Sequence, residues 1–494
     1  YREVLSLDES DAELVLPAAR ALERIYLSGD KSAELGEVLR VQVKLEADGD
    51  ARKGLLGRLG ELCQSVLGDS AGAIEAWRMR SEENPGDELA LAALDRLYEE
   101  GEKWRELVDV LTLRRDASED PGLRRKLMVR GATTLANKLD ATSDSIDAWR
   151  GVLDEYGPDA EVLVALERLY EKAELWHELA ETYERHLDIV EADAERLELL
   201  AKLGRLKHRH LSDVEGALET YRRALTLDSS HEASREALEE LLDSDDSFAR
   251  REAAGILHPI YEADGAHEKL LHVIEIEIDA TEDVFDRLKG LEKAIQVAEV
   301  SLNDSAKAFK HGERAVRVAA GHTELAPWLT HIERLAEQSS RQGDYVKILC
   351  DVVGEIFDGE VQLVVTLRIA ELARHQLADR ELAREYYQKA LELRSDDKAA
   401  LAALESLYEE MGDAPQLLEI LERRAEVVDS EDERKALMFR RARLLSDVLS
   451  DNARSIQVYE TILDLGLDSQ AVDSLESLYT LEERWPDLQE LYVR

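Results

Sequence analysis

The sequence predicts an all-α chain of stacked helical hairpins. Three observations carry this: a repeat of about 72 residues, apolar positions spaced for one helix face, and breakers confined to the joints. At 494 residues the chain is longer than one ordinary core supports, so an array or several domains is expected.

The first marker is a hexapeptide. Ala93-Leu94-Asp95-Arg96-Leu97-Tyr98 recurs as Ala165 to Tyr170, and appears earlier as Ala21 to Tyr26 and later as Ala237 to Leu242. After a disturbance it returns as His331 to Ala336, Ala403 to Tyr408 and Ser474 to Tyr479. In Leu94-x-x-Leu97-Tyr98 the apolar residues fall at i, i+3 and i+4, one stripe of a helix.

A second marker interleaves with the first. Small residues stand at Gly60, Ala132, Gly204, Ala370 and Ala442, and an aromatic follows each at Trp77, Trp149, Tyr221, Tyr387 and Tyr459. One turn before each aromatic is another small residue: Ala73, Ser145, Ala217, Ala383 or Ser455. Small residues let two helices approach, and the aromatic fills the wedge beside them. Joints such as Asn84-Pro85-Gly86-Asp87, Gly157-Pro158-Asp159 and Ser395-Asp396-Asp397 break one helix and can cap the next.

Gly60, Ala73, Trp77 and Pro85 are similar to the tetratricopeptide repeat (TPR) family, although the turn between Gly60 and Ala73 is one residue longer. The Tyr98-type hairpins depart from that pattern: a Tyr follows the Leu, and Trp104 with Leu107, or Trp176 with Leu179, or Trp485 with Leu488, supplies the second-helix contacts. The resemblance spans nearly the whole chain and implies a right-handed α-α superhelical solenoid, with about thirteen hairpins and one odd helix. It also implies that first helices line a groove for partner proteins.

The register fails between Leu242 and Tyr261, where the hexapeptide restarts as Ile256 to Tyr261 with Pro259 inside it. The expected organisation is an array over 1–242, a junction with an extra, Pro-kinked helix over 243–262, and a second array over 263–494. Tyr1 to Asp8 resembles Tyr221 to Asp228, the latter half of a second helix, so both ends read as cuts in a longer solenoid. With Tyr1 rather than Met at the start, the compartment stays open between cytoplasm and periplasm or envelope.

The residues offer no catalytic pattern, so no enzyme and no cofactor or metal is expected. Gly54-x-x-Gly57-x-x-Gly60 lacks the Gly-x-Gly of a dinucleotide loop, and His208 and His210 fall on different helix faces. Cys63 and Cys350 fit core positions rather than a disulfide. No run of 18 apolar residues exists, so no membrane insertion is expected. With 108 acidic and 63 basic residues, the net charge of −45 disfavours nucleic acid and favours basic partner segments.

One position concentrates that charge. Three residues before each hexapeptide's end stand Glu23, Asp95, Glu167, Glu239, Glu333, Glu405 and Glu476. At the matching place in alternate hairpins are Gly57, Val129, Ala201, Leu367 and Phe439. A groove of acidic and apolar rungs would suit a basic amphipathic segment; the competing reading pairs these acids with neighbouring Arg. The expected function is an acidic scaffold or adaptor in a multiprotein assembly, of bacterial type from its excess of Arg over Lys. The rivals are a self-associating component of a machine or filament, and a regulatory arm of an enzyme domain outside this segment.

Overall fold

The computed structural model describes residues 1–7, 12–29, 31–322 and 325–494. Among these are 28 α-helices and no strand, against the roughly 27 helices that one pair per repeat predicts. The chain divides into two units, Tyr1–Leu241 and Leu242–Arg494.

In the first unit α1 (Arg2–Leu7) lies against α2 (Ala12–Ser28), and the helices then pair along the chain. α2 pairs with α3 (Ser32–Leu45), α4 (Gly49–Leu62) with α5 (Ser70–Glu83), and α6 (Glu88–Glu100) with α7 (Trp104–Ala117). α8 (Pro121–Asn137) pairs with α9 (Thr142–Tyr156), α10 (Ala160–Lys172) with α11 (Trp176–Ile189), and α12 (Asp193–Arg209) with α13 (Val214–Leu227). α14 (Glu232–Leu242) runs up to the boundary.

The second unit pairs α15 (Ser247–Asp264) with α16 (His267–Ala280), α17 (Val284–Gln296) with α18 (Ser305–Ala320), and α19 (Ala326–Gln338) with α20 (Gln342–Val352). α21 (Gly359–His375) and α22 (Arg380–Leu393) follow, then α23 (Lys398–Met411) and α24 (Ala414–Val427). α25 (Glu431–Arg443) with α26 (Asn452–Leu465), and α27 (Ser469–Leu481) with α28 (Trp485–Val493), complete it. The segment expected to hold an extra, kinked helix contains α15, which runs across Pro259 and pairs with α16. Proline removes one helix hydrogen bond and crowds the carbonyl four residues back. Burial of Ile256, Leu257 and Tyr261 holds the helix together across it.

The packing logic of the markers is visible atom by atom. A Cβ on Gly60 would stand 2.4 Å from the Trp77 ring, and one on Gly204 would stand 2.4 Å from the Tyr221 ring. The crossing residues Ala73, Ser145, Ala217, Ala383 and Ser455 are wholly buried. Where the crossing residue is Ser, its hydroxyl is satisfied locally: Ser145 donates to the Ala132 carbonyl (2.9 Å) and Ser455 to that of Ala442 (2.8 Å). The α17–α18 hairpin reverses the sizes, with buried Ile295 on the first helix and Gly312 on the second.

Turn geometry repeats as strictly as packing. Eight residues after each small marker the backbone enters the left-handed region, at Gly68, Asp140, Ser212, Ala378 and Ser450. In the Tyr-type hairpins this happens four residues after the hexapeptide, at Glu102, Glu174, Gly265, Ser340, Gly412 and Glu483. A π-helical turn, Cys63–Leu67, closes α4. Equivalent turns close α17 (Val297–Ser301) and α25 (Leu444–Val448).

Candidate functional site

The acidic rungs sit on first helices, yet they are not a ladder of free carboxylates. Glu23, Asp95, Glu167 and Glu405 are all less than a tenth exposed. A charge so placed needs a partner, and each finds one on adjoining helices. Arg114 of α7 and Arg130 of α8 both donate to Asp95, the latter at 2.9 Å. Arg424 of α24 and Arg440 of α25 do the same for Glu405. Gln42 of α3 (2.8 Å) and Arg58 of α4 hold Glu23, and His186 Nδ1 of α11 lies 2.6 Å from Glu167.

Glu333 is less buried and is held by Arg368 of α21, whose Nε donates at 3.0 Å. The Glu476 carboxylate accepts from the Tyr492 hydroxyl, and Glu239, part-exposed on α14, is also engaged. In α15 the register is inverted. His258 stands there, its Nδ1 2.7 Å from Glu277 of α16 and its Nε2 2.9 Å from the Lys293 ammonium of α17. At Glu23, Asp95, Glu405 and His258 the rung thus joins a first helix both to its own second helix and to the next first helix.

Burial opposes charge on Arg114, but hydrogen bonds to Glu88 and Asp95 more than offset it, so its guanidinium holds its proton more tightly than usual. Arg130 shows the same balance between burial and its bonds to Asp95 and Glu99. The signal missed in the sequence is a basic residue 35 positions after the acid: Arg58, Arg130, Lys202, Arg368 and Arg440. Each directly follows an alternate rung, so Gly57, Val129, Ala201, Leu367 and Phe439 lie beside cations, not in an acidic stripe. Gly57 and Ala201 are buried; Val129, Leu367 and Phe439 are part-exposed, and Phe439 meets Tyr459 edge-on at 5.9 Å.

Two of the expected residues do share a groove. Glu333 and Leu329 of α19, Leu349 of α20, and Val364, Leu367 and Arg368 of α21 enclose a pocket of about 400 Å³. Val364 is 63% exposed, so the mouth is apolar. Tyr345 forms part of the floor, and burial pushes its hydroxyl's pKa well up. The Arg368 guanidinium is desolvated there, but its hydrogen bonds to Glu333 and Glu371 outweigh this and raise its pKa. Val364 was legible in Leu363-Val364-Val365, since three successive residues of a helix cannot share one face. Among the described residues no cluster of three or more His, Cys, Asp or Glu could hold a metal ion. No helix among them is long and apolar enough to cross a membrane.

The family model described as "Tetratricopeptide repeat" matches residues 162–197, and a second model of that description matches residues 367–397. These two segments are similar to tetratricopeptide repeats, and helical hairpins of the same kind run through the described residues. The first match covers α10 and α11, a Tyr-type hairpin of the kind the sequence pattern sets apart from the family. This TPR-like chain is matched by none of the curated proteins. Among solved structures, the Naa15/Naa10 complex bound to HypK-THB matches at TM-score 0.32 and 12% identity, over 96% of this chain and 74% of that one. The APC/C hetero-tetramer Cut9-Hcn1 matches at TM-score 0.20 and 14% identity, over 95% and 91%.

Proposed function

We propose that the chain is a non-enzymatic scaffold that holds partner proteins within a larger assembly. Its best-formed receptor is the groove between α19 and α21, taking an apolar side chain from a partner segment that carries basic residues beside it. The observation that carries this reading is Val364, an aliphatic side chain left largely in water at the mouth of a pocket floored by Leu349. Singly exposed apolar residues are ordinary on a protein surface, but this one borders a concavity. Glu371, half-exposed on the rim, shares Arg368 with Glu333, so the rim keeps one negative charge in excess for a basic neighbour to meet.

The test is affinity capture from the source cells with wild-type chain and Val364→Asp, partners being identified and their binding then measured. Burying an aliphatic side chain of this size is worth roughly 1.5–3 kcal/mol, so a groove-bound partner should bind at least about tenfold more weakly to the variant. The fold should be unaffected, because Val364 is exposed. If the variant retains every partner at unchanged affinity, the groove is not the receptor.

A further inference from the structure

The internal repeat singles out one buried imidazole. Arg114 and Arg424 stand 19 residues after the acids Asp95 and Glu405 and bind them from the second helix. Arg424 also reaches Glu433 at the start of the next first helix, at 3.0 Å. In the α10–α11 hairpin the residue in that register is His186, with Glu167 as its acid and Glu195 in the place of Glu433. Permanent cations in two copies are replaced here by the one side chain that gains and loses charge near neutral pH.

The geometry is that of a bridge half closed. His186 is 2% exposed. Its Nδ1 is engaged by Glu167 at 2.6 Å, while its buried Nε2 has no hydrogen-bond partner and points toward Glu195 Oε1, 4.0 Å away. A buried ring nitrogen left unpaired is uncommon. Glu195 has a half-exposed side chain and can move the remaining distance.

We propose that His186 is a proton-operated clasp: on protonation its Nε2–H closes onto Glu195, tying α10, α11 and α12 through one imidazolium. The neutral ring, carrying its single proton on Nδ1, keeps only the bond to Glu167 and leaves α12 untied. The other ionisable groups around it do not provide a substitute. On α10, Glu171 lies a turn beyond Glu167 and, like it, acts on Tyr183 of α11, whose hydroxyl burial pushes up to about 12. On α12, Lys202 is exposed. Two residues before His186 on α11, Glu184 is taken by Lys207 and Arg223. A contact made only by the protonated ring adds stability in mild acid and loses it as pH rises.

The experiment is amide hydrogen exchange by mass spectrometry on the whole chain at pH 5.5 and pH 8, corrected for intrinsic exchange and read over residues 176–209. Wild type should be protected about three- to fivefold more at the lower pH, the scale of one partly exposed charged contact. His186→Arg should show the high protection at both pH values, and His186→Gln the low protection at both. Glu195→Ala removes the acceptor from an exposed position, so it should fold normally and lose the pH response. A pH response that persists in Glu195→Ala, or its absence in wild type, overturns the proposal.

Discussion

Replacing Gly204 by Leu forces a side chain into space already filled. The position faces Tyr221, and a Cβ there would lie 2.4 Å from one ring carbon and 2.8 Å from a second. Tyr221 is 1% exposed, so its ring has no solvent to retreat into. Leu regains about 0.8 kcal/mol of helix propensity over Gly. Overpacking a filled core costs about 1–3 kcal/mol and occasionally more. With the cost at its upper end, as a 2.4 Å approach warrants, the expected net loss is about 2 kcal/mol. Two controls isolate the cause. Gly131, on α8, is buried but open around the Cβ direction, with no atom within 4 Å, so Gly131→Ala should stabilise by roughly 0.5–1 kcal/mol. Glu240→Leu, on an exposed side chain, should change little.

Urea denaturation followed by helical circular dichroism supplies the midpoints. Because stacked repeats need not unfold in one step, hydrogen exchange over α12 and α13 should be read beside it. If Gly204→Leu unfolds at the same urea concentration as Glu240→Leu, the Tyr221 ring is not the constraint and the hairpin register is wrong.

Two further perturbations test the turns and a buried carboxylate. Ala378 holds a left-handed backbone that penalises any Cβ (φ 55°), so Ala378→Gly should raise stability by about 0.5–1 kcal/mol. Gly412→Ala (φ 73°) should lower it by about 1 kcal/mol, and equal shifts in thermal midpoint would contradict this. Asp87 caps α6 through the Ala90 amide and pairs with Arg80 and Lys53. Burial alone would raise its pKa, but the bonds from Arg80, Ala90 and Lys53 overcome that and leave it below the ordinary value. Its contribution is therefore full above about pH 4 and fades as pH falls through the depressed folded value. Asp87→Asn should lose about 2–4 kcal/mol at pH 7, with the gap to wild type closing below pH 4; a gap unchanged at pH 3 would refute the linkage.

How much of this was readable in advance follows from the physics of each feature. The hairpins were legible because helix stripes and the Gly204–Tyr221 type of contact leave a trace at fixed spacing within a short window. Left-handed turns were not, because Glu102, Glu174 and Ala378 occupy positions where composition would favour Gly or Asn; the stacked helices over-determine them. The clasped rungs were legible only as one of two readings, because the cation that meets Glu23, Asp95, Glu333 or Glu405 lies 35 residues on. Asp95 and Arg130 meet only after a whole hairpin has folded between them. Reversing Glu167 to Lys, which an exposed ladder would tolerate, now places a cation against buried His186 and should damage the fold.

The net charge then needs another home, and the helix ends supply one. The segments leading into α4, α8, α12, α17, α21 and α25 carry acids and no base: 46–50, 116–120, 188–195, 279–286, 355–360 and 426–433. Asp48, Asp120, Asp283 and Asp358 accept hydrogen bonds from the first free amides of their helices, as Ser430 does for α25. Beside them lie first-turn acids such as Asp193, Asp286 and Glu431. A helix N-terminus bears the positive end of the macrodipole and amides without internal partners, so acids there are favoured whatever the chain binds. Much of the −45 is thereby tied to a fold that starts 28 α-helices among the described residues of a 494-residue chain. Recognition by a basic partner must draw on the carboxylates not fully neutralised, and at the α19–α21 groove Glu333 and Glu371 share the single cation Arg368, which leaves one negative charge in excess.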